Sequence, residues 1–220
     1  MNFERFAIYW MPRLSSPLEE FARQWFGGAN TFDLEPDLAA KAIRTPKRYG
    51  FHATLKAPFR PVPGILPEEL SAELERFCAR RKRIVTAPLA LERFQHYLAL
   101  CPSGRRAELE WLASECVVHF DRFRAPLGEK DREKRKGNLS PREKAHFEQF
   151  GYPYVFDLFT FHISLAGPLE PRELDSVSAA LRPRLGAVAS EDFVVGELCL
   201  CGDPGGDKAF EVISRFPLMR

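Results

Sequence analysis

The sequence predicts a mixed α+β fold built from two related lobes. Segments in which apolar and polar residues alternate, as in half-buried strands, are interspersed with segments of helical periodicity. The strings FHATLKAP, at residues 51–58, and FHISLAGP, at residues 161–168, share one pattern half the chain apart. A helix that begins at a proline is expected shortly after each string. The repeat therefore predicts a single bilobal domain over residues 1–220.

Elements of the first half follow from periodicity and helix-start signals. Ser16, Pro17 and Glu19 form a helix start with a side-chain cap. Residues 29–49 lack a clear period and are predicted as loop or short irregular helix. The remaining segments are a strand at 3–10, a helix from 16 to about 25, a strand at 51–58, a helix from 67 to about 79 and a strand or hairpin at 88–101.

The second half alternates in the same way. Residues 129–136 carry mixed charges without an apolar anchor, which is typical of a solvated loop or a helix extension. Cys199 and Cys201 are interpreted as two small buried residues of a strand. The other predicted elements are helices at 106–120, 140–150 and from 171 onward, and strands at 161–166, 192–201 and 208–216.

Composition and charge exclude several classes of function. The 32 basic and 30 acidic residues nearly balance, so we expect no extended nucleic-acid partner. The five cysteines are dispersed without a C-x-x-C motif, and the chain does not start with an apolar secretory segment. Its apolar stretches are far shorter than a membrane helix requires. We therefore expect a cytoplasmic protein with no membrane role.

The repeated strand carries a chemically suggestive pair of side chains. His52 and Thr54 lie two residues apart and hence on one strand face, as do His162 and Ser164. One histidine in a strand is usually structural, but the repetition of its offset to a hydroxyl favours catalysis. If the two faces meet across a cleft, one imidazole can act as base and the other as acid, while the hydroxyls donate to phosphate oxygens. Covalent catalysis is not predicted, because neither hydroxyl has a base of its own.

Other residues near the repeats are weaker candidates for substrate contact. Lys56 shares the predicted polar face with His52, although an exposed surface lysine would look the same. Three tyrosines flank the motifs and are predicted to line the cleft, with packing as the alternative; they are Tyr49, Tyr152 and Tyr154. Three cations before the first motif could attract phosphate, but a solvated loop is the favoured interpretation; they are Arg44, Lys47 and Arg48.

A metal or nucleotide cofactor is not predicted. His52 and His162 have no carboxylate or second histidine at a ligand spacing, and two histidines with two neutral hydroxyls bind divalent metals poorly. The sequence contains no Walker-type or dinucleotide glycine loop. The remaining histidines lack a partner hydroxyl and are assigned structural or surface roles; they are His96, His119 and His146.

Three strings, RYGFHATLKAPF, NLSPRE and GYPYVF…FHISLAGPL, carry a family resemblance. The chain resembles the two-histidine phosphoesterases and, more closely, a bacterial family associated with phosphonate utilisation. The resemblance implies a bilobal fold with two pseudo-symmetric antiparallel sheets, outer helices and a central cleft. Ser164 stands where threonine is commoner, which keeps the hydroxyl.

The resemblance also implies an activity. It is the metal-independent hydrolysis of a cyclic phosphate or small phosphodiester, with the HxTx motif at 52–55 and the HxSx motif at 162–165. His52 and His162 would be the acid–base pair, and Thr54 and Ser164 would bind the phosphate. The expected partner is a small phosphorylated metabolite or cyclic nucleotide, and the expected state is a monomer without a cofactor.

Two alternatives stay open. One is an enzyme of RNA ends, either a 2′,3′-cyclic phosphodiesterase or a 2′,5′ RNA ligase, against which the near-neutral charge argues modestly. The other is a non-enzymatic nucleotide- or RNA-binding module. Which histidine is the base also stays open, because the two motifs are nearly equivalent.

Overall fold

The computed structural model describes residues 3–28, 32–134, 137, 139–206 and 208–220. It has the predicted α+β fold. The strands are β1 Arg5–Trp10, β2 Ala53–Phe59, β3 Ile84–Thr86, β4 Leu89–Arg93, β5 Leu98–Pro102, β6 Ile163–Ala166, β7 Phe193–Val195, β8 Glu197–Asp203 and β9 Glu211–Pro217. The helices are α1 Pro17–Phe26, α2 Pro36–Lys47, α3 Pro67–Cys78, α4 Ala107–Phe120, α5 Glu129–Lys134, α6 Pro141–Phe150 and α7 Pro171–Val188.

The two strands that follow the repeated histidines lie side by side at the centre of the main sheet. This sheet has seven strands in the order β4-β5-β6-β2-β1-β8-β9, and its neighbouring strands are antiparallel. Its two halves meet where Ala53 of β2 pairs with Ile163 of β6. Strands β3 and β7 form a separate two-stranded antiparallel sheet. The two repeated strands are therefore hydrogen-bonded into one sheet, in which β6 is flanked by β5 from the first half of the chain and by β2.

One hydrophobic core extends through both halves. It includes Phe51 and Leu55 from the first repeat, Phe161 and Ile163 from the second, and Leu174 of α7. Alternate residues of β1 and β8 point to the opposite sheet face. There a smaller buried cluster is formed by Ala7, Tyr9, Cys199 and Cys201. The main core thus supports one sheet face and leaves the other available for a cleft.

The helix starts follow their sequence signals. Ser16 caps α1 by accepting a hydrogen bond from the Glu19 amide at 3.2 Å. Ser140 caps α6, with Glu143 bonding back to the Ser140 amide at 2.7 Å. All five cysteines are free and buried, as expected for small apolar residues. No helix in the described part of the chain has the length and apolarity that a membrane span requires.

Three segments differ in detail from their sequence predictions. Helix α2 is a continuous helix of 12 residues within the segment predicted as loop or short irregular helix. Ala42 and Ile43 pack into the core, and these tertiary contacts stabilise a helix whose apolar periodicity is weak. The predicted strand at 192–201 is divided by Gly196 into β7 and β8, which belong to different sheets. Of residues 129–136, α5 covers the first six, and the last two lie outside the described residues.

Candidate active site

The centre of the sheet brings the four motif side chains together. Ala53 pairs with Ile163 in antiparallel register, so His52 lies beside Ser164 and Thr54 lies beside His162 on one sheet face. All four residues line one cleft of about 890 Å³. The arrangement has an approximate two-fold relation about the Ala53–Ile163 pair, with each histidine one residue before its strand.

Each imidazole is oriented in the same way. His52 Nδ1 lies 3.0 Å from the Gly50 carbonyl, and His162 Nδ1 lies 2.8 Å from the Thr160 carbonyl. A neutral ring donates to such a carbonyl through Nδ1–H, which leaves a lone pair on Nε2. At His52 this lone pair accepts from the Thr54 hydroxyl, with 3.2 Å between Oγ1 and Nε2. Nε2 is therefore the proton-transfer nitrogen of both rings, and at His52 it becomes free when the Thr54 hydroxyl turns to another acceptor.

The surroundings of His52 favour its neutral form. Burial lowers the pKa of His52 from 6.5 to about 4; the Gly50 carbonyl opposes this shift, and the nearby His162 adds a smaller lowering. His52 is therefore unprotonated near neutral pH and can accept a proton.

Aromatic side chains border both histidines. The Tyr9 ring is centred 4.1 Å from His52, and the Tyr49 ring is 6.1 Å from it. On the other side, Phe94 and Tyr97 stack at 4.6 Å, and each lies 6.2 Å from His162. These rings form flat apolar walls next to the polar centre.

The tyrosines predicted from sequence lie at two different depths. Tyr49 lines the cleft. Tyr154 is 42% exposed and borders an adjoining cavity of about 210 Å³, which also contacts His162 and Thr54. Tyr9 also lines the cleft, where burial raises the pKa of its phenol. Sequence reasoning missed Tyr9, because the surrounding FAIYWM string is apolar throughout and has no visible polar face.

Lys56 does not lie where the sequence predicts. It is 3% exposed, and its Nζ donates to the Val117 carbonyl at 3.1 Å and pairs with Asp121 at 3.3 Å. The pairing of β2 with β1 shifts register between Thr54 and Lys56, so a β-bulge ends the strict alternation. Ala57 consequently lines the cleft, and Lys56 is directed at α4. Burial lowers the pKa of Lys56, and Asp121 opposes this effect.

Four arginines line the cleft, and the sequence pointed only to Arg48. The others come from segments remote in sequence, and no motif marks them; they are Arg5, Arg60 and Arg124. His96 is exposed and lines the cleft as well. His119 bonds to Glu73 at 2.5 Å, and buried His146 contacts the Pro153 carbonyl at 3.3 Å, as expected for structural histidines.

The cleft is lined by imidazoles, hydroxyls, aromatic rings and guanidinium groups, together with the carboxylates of Glu4, Asp131 and Asp203. Within the described ranges, no group of three or more His, Cys, Asp or Glu side chains is arranged to hold a metal ion. The set of groups that does line the cleft is suited to binding anions and moving protons.

The fold and the site together have the pattern expected of a two-histidine phosphoesterase: an antiparallel α+β domain in which paired His-x-Thr/Ser motifs face one cleft. The chain belongs to the family described as "Protein of unknown function (DUF1045)", whose model matches residues 54–211.

Two curated relatives carry the name "Ribose 1,5-bisphosphate phosphokinase PhnN". The protein from Janthinobacterium sp. (strain Marseille) is 31% identical over 231 residues, which cover 98% of this chain and 51% of the relative. The protein from Laribacter hongkongensis (strain HLHK9) is 28% identical over 179 residues, which cover 78% of this chain and 42% of the relative. The chain thus spans about half the length of the curated relatives it matches.

Solved structures with a similar overall arrangement include E. coli LigT complexed with 3′-AMP, at 13% identity, 100% coverage of both chains and a TM-score of 0.46. TT0787 of Thermus thermophilus is 13% identical, covers 97% of each chain and has a TM-score of 0.46. Such scores are too low to transfer a function.

Proposed function

We propose that this protein hydrolyses a cyclic phosphate or another small phosphodiester without a metal ion. One observation carries the proposal: the pairing of Ala53 with Ile163 places two histidines and two hydroxyls on one face of the same cleft. Hydrolysis of a phosphodiester requires a base for water, an acid for the leaving oxygen and donors for the non-bridging oxygens. The four side chains supply these groups.

The reaction can be written with its protons balanced. His52 is assigned as the base, because its neutral form is favoured: Nε2 takes a proton from water as the water oxygen attacks phosphorus. The bond from phosphorus to the leaving oxygen breaks, and that oxygen takes a proton from His162 Nε2. Thr54 and Ser164 donate to the non-bridging oxygens as negative charge builds. Exchange with solvent then restores both histidines.

A ribose cyclic phosphate is the preferred substrate class. The two relatives are named for a kinase of ribose 1,5-bisphosphate. In a 1,2-cyclic phosphate of ribose 5-phosphate, one phosphate bridges O1 and O2. Hydrolysis of its bond to O2 would yield this bisphosphate. Kinase activity itself is not proposed, because the sequence contains no G-x-x-x-x-G-K-[ST] loop.

RNA ends are the second candidate substrate. The stacked pair Phe94 and Tyr97 beside His162 favours this candidate, since aromatic faces hold unstacked bases. A nucleoside 2′,3′-cyclic phosphate would place its base there and its phosphate between the histidines. The same assay therefore includes both substrate classes.

The proposal is tested by turnover in the presence of EDTA. Purified protein should open a ribose cyclic phosphate or a 2′,3′-cyclic nucleotide, and His52→Ala and His162→Ala should each lower kcat by about 10²-fold or more. His119→Gln, outside the cleft lining, should retain the wild-type rate.

Equal rates for wild type and both alanine variants would overturn the acid–base assignment. Tight binding of these compounds without any turnover would instead favour the binding-module alternative. Circular dichroism and thermal unfolding of each variant would confirm that a lost rate reflects lost chemistry.

A further inference from the structure

Arg48 lines the cleft beyond His52 and has an unusual environment for a cation. Its Nη2 donates to the Gly206 carbonyl at 2.7 Å, and the chain returns the contact through the Phe210 amide, 3.3 Å from the Arg48 carbonyl. The Arg48 Nε is buried and has no hydrogen-bond partner among the residues that the structure describes. Because this Nε is closed to solvent, an external anion would meet the guanidinium at its exposed Nη end.

The other arginines of the cleft already have carboxylate partners. Arg5 Nε lies 2.8 Å from Asp203, Arg60 lies 2.7 Å from Asp131, and Arg124 Nε lies 2.8 Å from Asp121. Arg48 forms no ion pair within the described part of the chain. Glu4 lies at the same end of the cleft but against Gly205. Arg48 is therefore the cleft arginine best able to take an external anion.

The distance from Arg48 to His52 limits the size of a substrate that could contact both residues. Arg48 precedes His52 by four positions, so their Cα atoms are at most about 14 Å apart. The left-handed turn at Gly50, with φ of 75°, brings the chain back toward the sheet and shortens this distance. An arginine side chain and a phosphorylated pentose together span such a separation. The cleft of about 890 Å³ has room for both ends of the molecule.

We propose that Arg48 binds a second phosphate group, so that the substrate is a cyclic phosphate carrying a separate phosphomonoester. This inference rests on the proposed function for the location of the reacting phosphate. The guanidinium is planar and can donate two parallel hydrogen bonds to phosphate oxygens. The phosphomonoester bound by Arg48 then holds the substrate on the His52 side of the cleft. Substrate specificity comes from this phosphate, which does not take part in the reaction.

The test compares ribose 1,2-cyclic phosphate with and without a 5-phosphate. Wild type should prefer the 5-phosphorylated compound, and Arg48→Gln should lower this preference, measured as the ratio of kcat/KM values, by about 10- to 100-fold. Arg48→Lys should lose less, because it keeps the charge. Arg44→Gln removes the same charge from an exposed position outside the cleft lining and should keep the wild-type ratio.

Binding measurements separate this inference from the proposed function. Ribose 1,5-bisphosphate and ribose 1-phosphate are titrated calorimetrically into wild type and Arg48→Gln. If neither cyclic compound is hydrolysed but only wild type prefers the bisphosphate, the subsite stands and the hydrolase proposal falls. If hydrolysis occurs and the preference is unchanged in both Arg48 variants, the subsite is overturned and the hydrolase proposal stands.

Discussion

His52 and His162 occupy matching backbone positions in unequal surroundings. Each ring contacts the carbonyl two residues before it, so the backbone sets the same ring orientation twice. Tyr9 packs closely against His52, whereas Phe94 and Tyr97 are farther from His162. The repeated motif thus supplies similar geometry, and the surroundings of His52 lower its pKa and favour its neutral form.

The lowered pKa of His52 predicts how stability depends on pH. The pKa is about 4 in the folded protein and 6.5 for an unperturbed histidine, so the unfolded chain binds more protons between these values. The contribution of the neutral His52 to the free energy of unfolding is fully present above the unfolded pKa and is lost as the pH drops from about 6.5 toward 4. Urea unfolding at about pH 7 and about pH 5 should show a loss that His52→Gln reduces by roughly 1–2 kcal/mol.

The exposed residue His96 provides the matched control for this measurement. His96→Gln should leave the pH-dependent loss as it is in wild type. An identical loss in wild type and His52→Gln would contradict the assignment of a neutral His52.

At the scale of elements, the bulge in β2 determines which side chains reach the cleft. His52 and Thr54 precede the register shift and face the cleft, and Ala57 follows it. Lys56 is turned to α4, where Asp121 is shared with Arg124. One extra residue in a strand pair is enough to exchange the two faces.

Lys56→Met tests this placement. If Lys56 only joins β2 to α4, kcat/KM should stay within about threefold of wild type, because removing a direct charged contact with substrate would cost about tenfold or more. The free energy of unfolding should change, since Asp121 loses one of its two partners. Steady-state kinetics and urea unfolding measure the two quantities. A tenfold loss of kcat/KM at unchanged stability would return Lys56 to the site.

The whole molecule shares one core although its motif is repeated. Buried residues of both halves belong to a single cluster, and the Trp25 indole of α1 donates to the Leu165 carbonyl of β6 at 2.9 Å. The Lys41–Glu173 ion pair also joins α2 to α7. These contacts join segments from the two halves of the chain.

This shared core predicts a single cooperative unfolding transition. Tryptophan fluorescence and far-UV circular dichroism should give coincident urea curves with one midpoint. Trp25→Phe removes the N–H that satisfies the Leu165 carbonyl and should lower the free energy of unfolding by about 1–3 kcal/mol. Two separate transitions would show that the lobes fold as independent units.

The sequence by itself determined the parts whose signals are local. The α+β class, the capped starts of α1 and α6 and the alternating faces around His52 and His162 depend on neighbours a few residues away. The similarity of the two repeated strings predicted that their histidines share one site. For these features, the spacing of residues along the chain is sufficient to predict the local geometry.

Only the tertiary structure decided the features that depend on contacts between remote segments. Helix α2 is regular because it packs on the core, Lys56 leaves the cleft because β1 shifts the register of β2, and Tyr9 enters it because β1 lies beside that strand. Arg48 differs from the other cleft arginines in having no carboxylate partner among the described residues. This difference is seen only when the ion pairs of Arg5, Arg60 and Arg124 are known. Sheet register and burial arise from pairing across the whole chain, and no local pattern encodes them.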